Sequence, residues 1–114
     1  MITIYHNPRC KISRQVLAEV EKHSEDVEII NYQKDKFTPK SLDKLLNLLH
    51  IEPFDLVRKN EAIYKSELKD KNFNRHEWIQ IMCDNPRLIE RPIVVKGYRG
   101  VVCRPPEKVF EILK

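Results

Sequence analysis

Met1-Ile2-Thr3-Ile4-Tyr5-His6-Asn7-Pro8-Arg9-Cys10-Lys11-Ile12-Ser13-Arg14 opens the chain, and its reading decides the fold. Residues 1–5 have the β-branched and aromatic character of a short strand. From Lys11 the apolar spacing becomes helical, with Val16, Leu17 and Val20 on one side of a helix over 11–23. Cys10 therefore stands where a strand ends and a helix begins. The first amides of a helix lack intrahelical partners, and the helix dipole adds partial positive charge at that end. Both favour a thiolate, the nucleophilic form of cysteine. The same amides suit a tetrahedral oxyanion. A nucleophile and an anion site in one loop point to chemistry on an oxyanion.

Working outward, Val27-Glu28-Ile29-Ile30 reads as a second strand. Thr38 is placed to cap a helix that has Pro39 at its first position and Leu42, Leu45, Leu46 and Leu49 on its apolar face. Asn74 and Glu77 form a capping-box pair for another helix, with Phe73 placed to staple onto Trp78 and Ile81 and Met82 inward. Residues 53–68 read as short helical pieces joined by Asn60. Near the end, Pro92-Ile93-Val94-Val95 and Val101-Val102-Cys103 flank Lys96-Gly97-Tyr98-Arg99-Gly100, which holds both glycines of the chain and signals a hairpin. Pro105-Pro106 stops the second of these strands. Pro106 starts a last helix expected to turn Val109, Phe110, Ile112 and Leu113 inward. The order is βαβ, a helical insertion over about 38–85, then ββα, in one domain spanning 1–114. Strands joined by a helix run parallel and hairpin strands antiparallel. The expectation is an α/β thioredoxin-like fold with a mixed four-stranded sheet.

Composition narrows the function classes. The chain has 114 residues, 41% apolar and 33% charged, which suits one soluble domain. No apolar run approaches the ~20 residues of a membrane span. The N-terminus lacks the basic, apolar and cleavage-site order of a signal peptide, so a cytoplasmic protein is expected. Net charge is +4, from 21 basic and 17 acidic residues, with no basic run interleaved with aromatics, so nucleic acid is not an expected partner. Cys10, Cys83 and Cys103 are too few and too widely spaced for a disulfide framework, and no Cys/His spacing suits a metal. Nothing in the sequence demands an oligomer, and a monomer is expected.

Four motifs resemble one family, in its order and at compatible spacing: Tyr5-His6-Asn7-Pro8-Arg9-Cys10 with Ser13-Arg14; Leu56-Val57-Arg58-Lys59-Asn60-Glu61; Arg91-Pro92-Ile93-Val94-Val95; and Cys103-Arg104-Pro105. They are similar to the glutathione/glutaredoxin-coupled arsenate reductases. The resemblance implies that Cys10 is the nucleophile and that Arg58, Arg91 and Arg104 bind the oxyanion. It implies that His6 lies near the thiolate and lowers its pKa, that Ser13 donates a hydrogen bond to it, and that Pro92 is a cis-proline facing the catalytic loop. Lys11 and Ile12 depart from the family, where small or polar residues are common.

The physical logic agrees with the resemblance. A thiolate and an arsenate dianion meet only where cations offset them, and arginine's planar fork suits oxyanions. Taken singly, each arginine reads as a surface ion pair; the motifs reverse that for Arg58, Arg91 and Arg104. Arg9, Arg14, Arg75, Arg87 and Arg99 keep the surface reading, with Arg9 close enough to add positive potential. Cys83 reads as a packing or partly exposed residue and Cys103 as core, with the place of Cys103 beside Arg104 leaving a disulfide with Cys10 as its alternative role. Ser13 stands where a C-x-x-C site has its second cysteine, so an outside thiol must complete the reaction. Glutathione as co-substrate and glutaredoxin as partner are expected, with no bound cofactor. Three alternatives remain at this point: a general glutathione-dependent thiol reductase, a non-catalytic transcriptional regulator of the Spx type, and a degenerate family member that binds phosphate or sulfate without reducing it.

Overall fold

The computed structural model describes residues 1–113. The chain forms two compact units: Met1–Asp35 together with the chain from Arg91 onward, and Lys36–Glu90.

The first unit is built on β1 (Ile2–His6), α1 (Lys11–His23), β2 (Val27–Asn31), β3 (Ile93–Lys96) and β4 (Arg99–Val102). The four strands make one mixed sheet in the order β2-β1-β3-β4, the thioredoxin-like arrangement. β1 pairs parallel with β2 and antiparallel with β3, and β3 pairs antiparallel with β4. Lys96 and Arg99 face each other at the hairpin end. Gly97 lies in the turn between them with φ at +63°, where a side chain would be strained. Ile2 and Ile4 of β1, Val16 and Val20 of α1, and Val94 of β3 form the core with Cys103, Val109 and Ile112.

The last segment, Pro106–Glu111, is a 3₁₀ helix. This corrects the inward placement of Phe110. With three residues per turn, positions 109 and 112 share a side and 110 is rotated a third of a turn away. Val109 and Ile112 are buried, whereas Phe110 is 44% exposed, its ring 6.4 Å from that of His23. Ile112→Ala is therefore expected to cost about 2–5 kcal/mol. Phe110→Ala, at a half-exposed site, is expected to cost under about 1 kcal/mol. Urea denaturation of both variants checks the pair.

The second unit contains α2 (Pro39–Leu49) and α3 (Arg75–Asp84). Thr38 and Ser41 form a capping box on α2, and Asn74 and Glu77 one on α3. Phe73 packs its ring edge-on against Trp78 at 4.9 Å. The segment 53–68 holds one 3₁₀ turn, Pro53–Leu56, and one π turn, Tyr64–Leu68. Val57 and Ile89 make an isolated antiparallel bridge, flanked by Arg58 N–H donating to the Leu88 carbonyl and Glu90 N–H donating to that of Leu56. Among the described residues, no helix is long and apolar enough to cross a membrane.

Candidate active site

The site grows from the alternation of β1. Ile2, Ile4 and His6 point to the buried face, while Thr3 and Tyr5 are partly exposed. On α1, Ser13, Val16 and Val20 are buried at helical spacing on one face. The two buried faces bring His6 and Ser13 together, with His6 Nδ1 2.6 Å from Ser13 Oγ. Ser13 Oγ also accepts from the Asn7 N–H at 3.0 Å. Among the described residues the hydroxyl proton has one acceptor, His6 Nδ1, so the neutral ring carries its own proton on Nε2.

Burial pushes the His6 pKa down, Arg14 adds to this, and Glu21 opposes it. His6 is therefore neutral near pH 7 and brings no charge to the loop; it acts by holding Ser13. A histidine whose folded pKa is depressed contributes stability above its unfolded value of about 6.5, and this is lost as pH falls through the folded pKa. His6→Gln is thus expected to lose less stability than wild type between neutral and mildly acidic pH, as read by denaturant midpoints.

Asn7 shapes the turn that delivers Cys10. Its carbonyl accepts from the Cys10 N–H at 3.0 Å, and its Oδ1 accepts from the Arg9 N–H at 3.0 Å. Arg14 Nη1 donates to the Pro8 carbonyl at 2.9 Å. Sequence reading left Asn7 out of the site, although Asn followed by Pro is a recognisable turn opening. Cys10 occupies the N-cap of α1 in extended backbone (φ −94°, ψ 122°). Its sulfur faces the Ser13 N–H, short of full cap hydrogen-bond geometry. The backbone of Ser13 thus serves the sulfur while its hydroxyl serves His6 and Asn7.

The β3–β4 hairpin supplies the cations. Arg91 stands two positions before β3 and Arg104 two positions after β4, and pairing of Ile93 with Val102 brings the two ends together. The Cys103 N–H donates to the Pro92 carbonyl at 2.9 Å, and Arg104 Nε donates to the Arg91 carbonyl at 2.8 Å. The Arg91–Pro92 and Arg104–Pro105 peptides are both cis. Arg104 Nη2 reaches 3.8 Å from Cys10 Sγ.

At Cys10, burial raises the thiol pKa. The Ser13 N–H, a hydrogen bond from Arg91 and the charges of Arg91 and Arg104 lower it, and the net displacement is downward. Arg91 Nε is buried without a hydrogen-bond partner. An orphaned buried donor beside this sulfur is a place for an acceptor atom.

The other thiols are of a different kind. Burial, with Glu111 assisting and Lys108 opposing, pushes Cys103 up to about 12. Burial and Asp84 also raise Cys83. Both stay protonated, and all three cysteines are free.

The first unit thus brings together Cys10, His6, Ser13, Arg91, Pro92 and Arg104. Arg58 belongs to the second unit. There its Nη1 is 3.1 Å from Glu61 Oε2 and its Nε is 3.8 Å from Glu90 Oε1. Glu61 lies within the quoted motif, but the Glu90 pairing depends on the Val57–Ile89 bridge and has no sequence signal.

Residues 5–112 match the family model described as the ArsC family. The chain is 39% identical to the arsenate reductase of Escherichia coli (strain K12) over 113 residues, 98% of this chain and 80% of that one. It is 38% identical to the uncharacterized protein YfgD of the same organism, covering 98% of this chain and 96% of that one. The solved structure of the arsenate reductase from Vibrio cholerae superposes with a TM-score of 0.91 at 35% identity, covering 97% of this chain and 96% of that one.

Proposed function

The chain belongs to the ArsC family, and on that premise we propose that it reduces arsenate to arsenite at Cys10, with glutathione and glutaredoxin completing the cycle. One observation carries this reading: the Cys10 sulfur faces the Ser13 N–H and two guanidiniums, and one of these, Arg91, keeps a buried Nε with no acceptor.

The Cys10 thiolate attacks arsenic(V). A sulfur–arsenic bond forms, and one oxygen leaves as water after protonation. The thiolate and dianion bring −3 to the pocket, so the attack needs cations placed beforehand. Arg91 and Arg104 supply +2 there, and the unpartnered Arg91 Nε has an acceptor once an oxyanion binds. The family motif makes Arg58 the third oxyanion arginine of this reading; within its own unit it lies against Glu61 and Glu90.

Glutathione then attacks the adduct. Its sulfur and that of Cys10 give up one electron each, arsenic falls from +5 to +3, arsenite leaves, and Cys10 is left as a mixed disulfide with glutathione. An internal disulfide does not offer itself, because Ser13 occupies the C-x-x-C position and Cys103 is a buried, protonated thiol. Glutaredoxin removes the glutathione by thiol–disulfide exchange. Such donors are kept reduced in the cytoplasm, where the protein is placed in this reading.

The test is arsenate-dependent NADPH oxidation with glutathione, glutaredoxin and glutathione reductase. Turnover that stops when glutathione is omitted supports the reading. No turnover, with Cys10 still fast to alkylate, overturns it in favour of a different thiol substrate.

A further inference from the structure

Arg9, Lys11 and Arg14 surround Cys10 in sequence, and all three are exposed. No carboxylate pairs with any of them among the described residues. Among the described residues, exposed Lys34, Lys40 and Lys44 likewise pair with no carboxylate, so what marks this set is its place around Cys10. Two of the three cations also oppose the helix dipole. The first turn of α1 carries Lys11 and no acidic residue, with Arg14 immediately after it, where the dipole favours negative charge. A local rule broken without compensation is a mark of a functional site.

The inner cations do not account for this outer set. Arg91 and Arg104 already act on the sulfur. Arg14 has a structural task, since its Nη1 holds the Pro8 carbonyl. Among the described residues the side chains of Arg9 and Lys11, the two chain neighbours of Cys10, have none.

We infer that Arg9 and Lys11 form a rim that selects the sulfur reagent of Cys10 by its carboxylates, so that anionic thiols and disulfides react ahead of neutral or cationic ones. This rests on Cys10 being a thiolate served by an outside thiol, as proposed above, and adds what that thiol must carry. The rim acts on approach, where cations beside a reactive group raise encounter rates with anions and salt weakens the effect.

The chemistry needs no arsenate to be tested. In each exchange the Cys10 thiolate attacks one sulfur of a symmetric disulfide and its S–S bond breaks. Cys10–S–S–R forms and one RS⁻ leaves, to be protonated by water. Three probes differ in charge: glutathione disulfide (anionic), bis(2-hydroxyethyl) disulfide (neutral) and cystamine (cationic). Second-order rate constants are measured at low and high salt for wild type and for the Arg9→Gln/Lys11→Gln double variant. The ratio of anionic to neutral rate cancels any change in thiolate fraction.

That ratio is expected to fall at least about fivefold in the double variant at low salt. In wild type it should fall with salt, and in the double variant it should be nearly flat. Lys11→Glu should lower the ratio further and raise the cystamine rate. An anionic-to-neutral ratio equal in wild type and double variant overturns the rim. That result combined with intact arsenate turnover sinks the rim alone. Absent arsenate turnover with a rim-dependent ratio sinks arsenate reduction alone. No reaction of Cys10 with any probe overturns both.

Discussion

On the proposed mechanism, Cys10→Ser is expected to abolish arsenate-dependent turnover, with a loss of at least about a thousandfold, as when a nucleophile is removed. The groups that lower the thiol pKa at position 10 are one amide, Arg91 and Arg104. Against the burial that raises it, they hold the thiol below its ordinary value and so favour the thiolate. A serine hydroxyl lies far above that value and stays protonated against the same partners. Serine also cannot give up an electron to arsenic or form the mixed disulfide, so both later steps fail as well. Cys10 is only partly buried and its side chain makes no full cap hydrogen bond, so the variant should fold with an unchanged denaturant midpoint. Steady-state NADPH oxidation beside that midpoint separates lost chemistry from lost structure.

Arg91→Ala is expected to lower kcat/KM for arsenate by about 10²–10³, the scale of losing one preplaced donor to a developing oxyanion. Two effects combine. On the proposed reading the buried Nε and its guanidinium would no longer meet the anion, and the thiol loses both a hydrogen bond and a positive charge. The sign of the second effect is fixed. Arg91 stabilises the thiolate, so its removal raises the Cys10 pKa, and thiolate is lost at any pH below the new midpoint. The pH profile of iodoacetamide alkylation should therefore move to higher pH in Arg91→Ala. In Arg58→Ala the alkylation profile should stay where it is, because Arg58 is not among the groups that shift Cys10. Arg58→Ala is expected to act through KM for arsenate. The two variants thus separate anion binding from thiolate formation.

Much of the fold was legible because local signals were strong and agreed with one another. The apolar spacing of α1, the side-chain caps at Thr38 and Asn74 and the glycine turn at Gly97 are all signals carried within a few residues of themselves. Phe110 was misplaced because an apolar run does not announce whether it will wind at three or at 3.6 residues per turn. The bridge between Val57 and Ile89 joins residues far apart in sequence and has no periodicity to reveal it.

The site divides along the same line. Cys10 and its position at the start of α1 follow from a strand meeting a helix, which short-range pattern shows. The division of Ser13 into a backbone donor for the sulfur and a hydroxyl for His6 needs the register of β1 against α1. The neutrality of His6 follows from burial that alternation along β1 imposes, and the sequence could hint at it only through Ile2 and Ile4. The carboxylates around Arg58 show why counting arginines along a sequence overstates the free positive charge.

The most direct measurement is a single turnover. Reduced protein is mixed with one equivalent of arsenate and excess glutathione, without glutaredoxin, then quenched, and arsenite and the state of each cysteine are quantified. One arsenite and one glutathione mixed disulfide on Cys10 per chain, with Cys83 and Cys103 still reduced, is the predicted result. Arsenite formed with a Cys10–Cys103 disulfide, or no arsenite while Cys10 remains a free thiolate, would contradict the account.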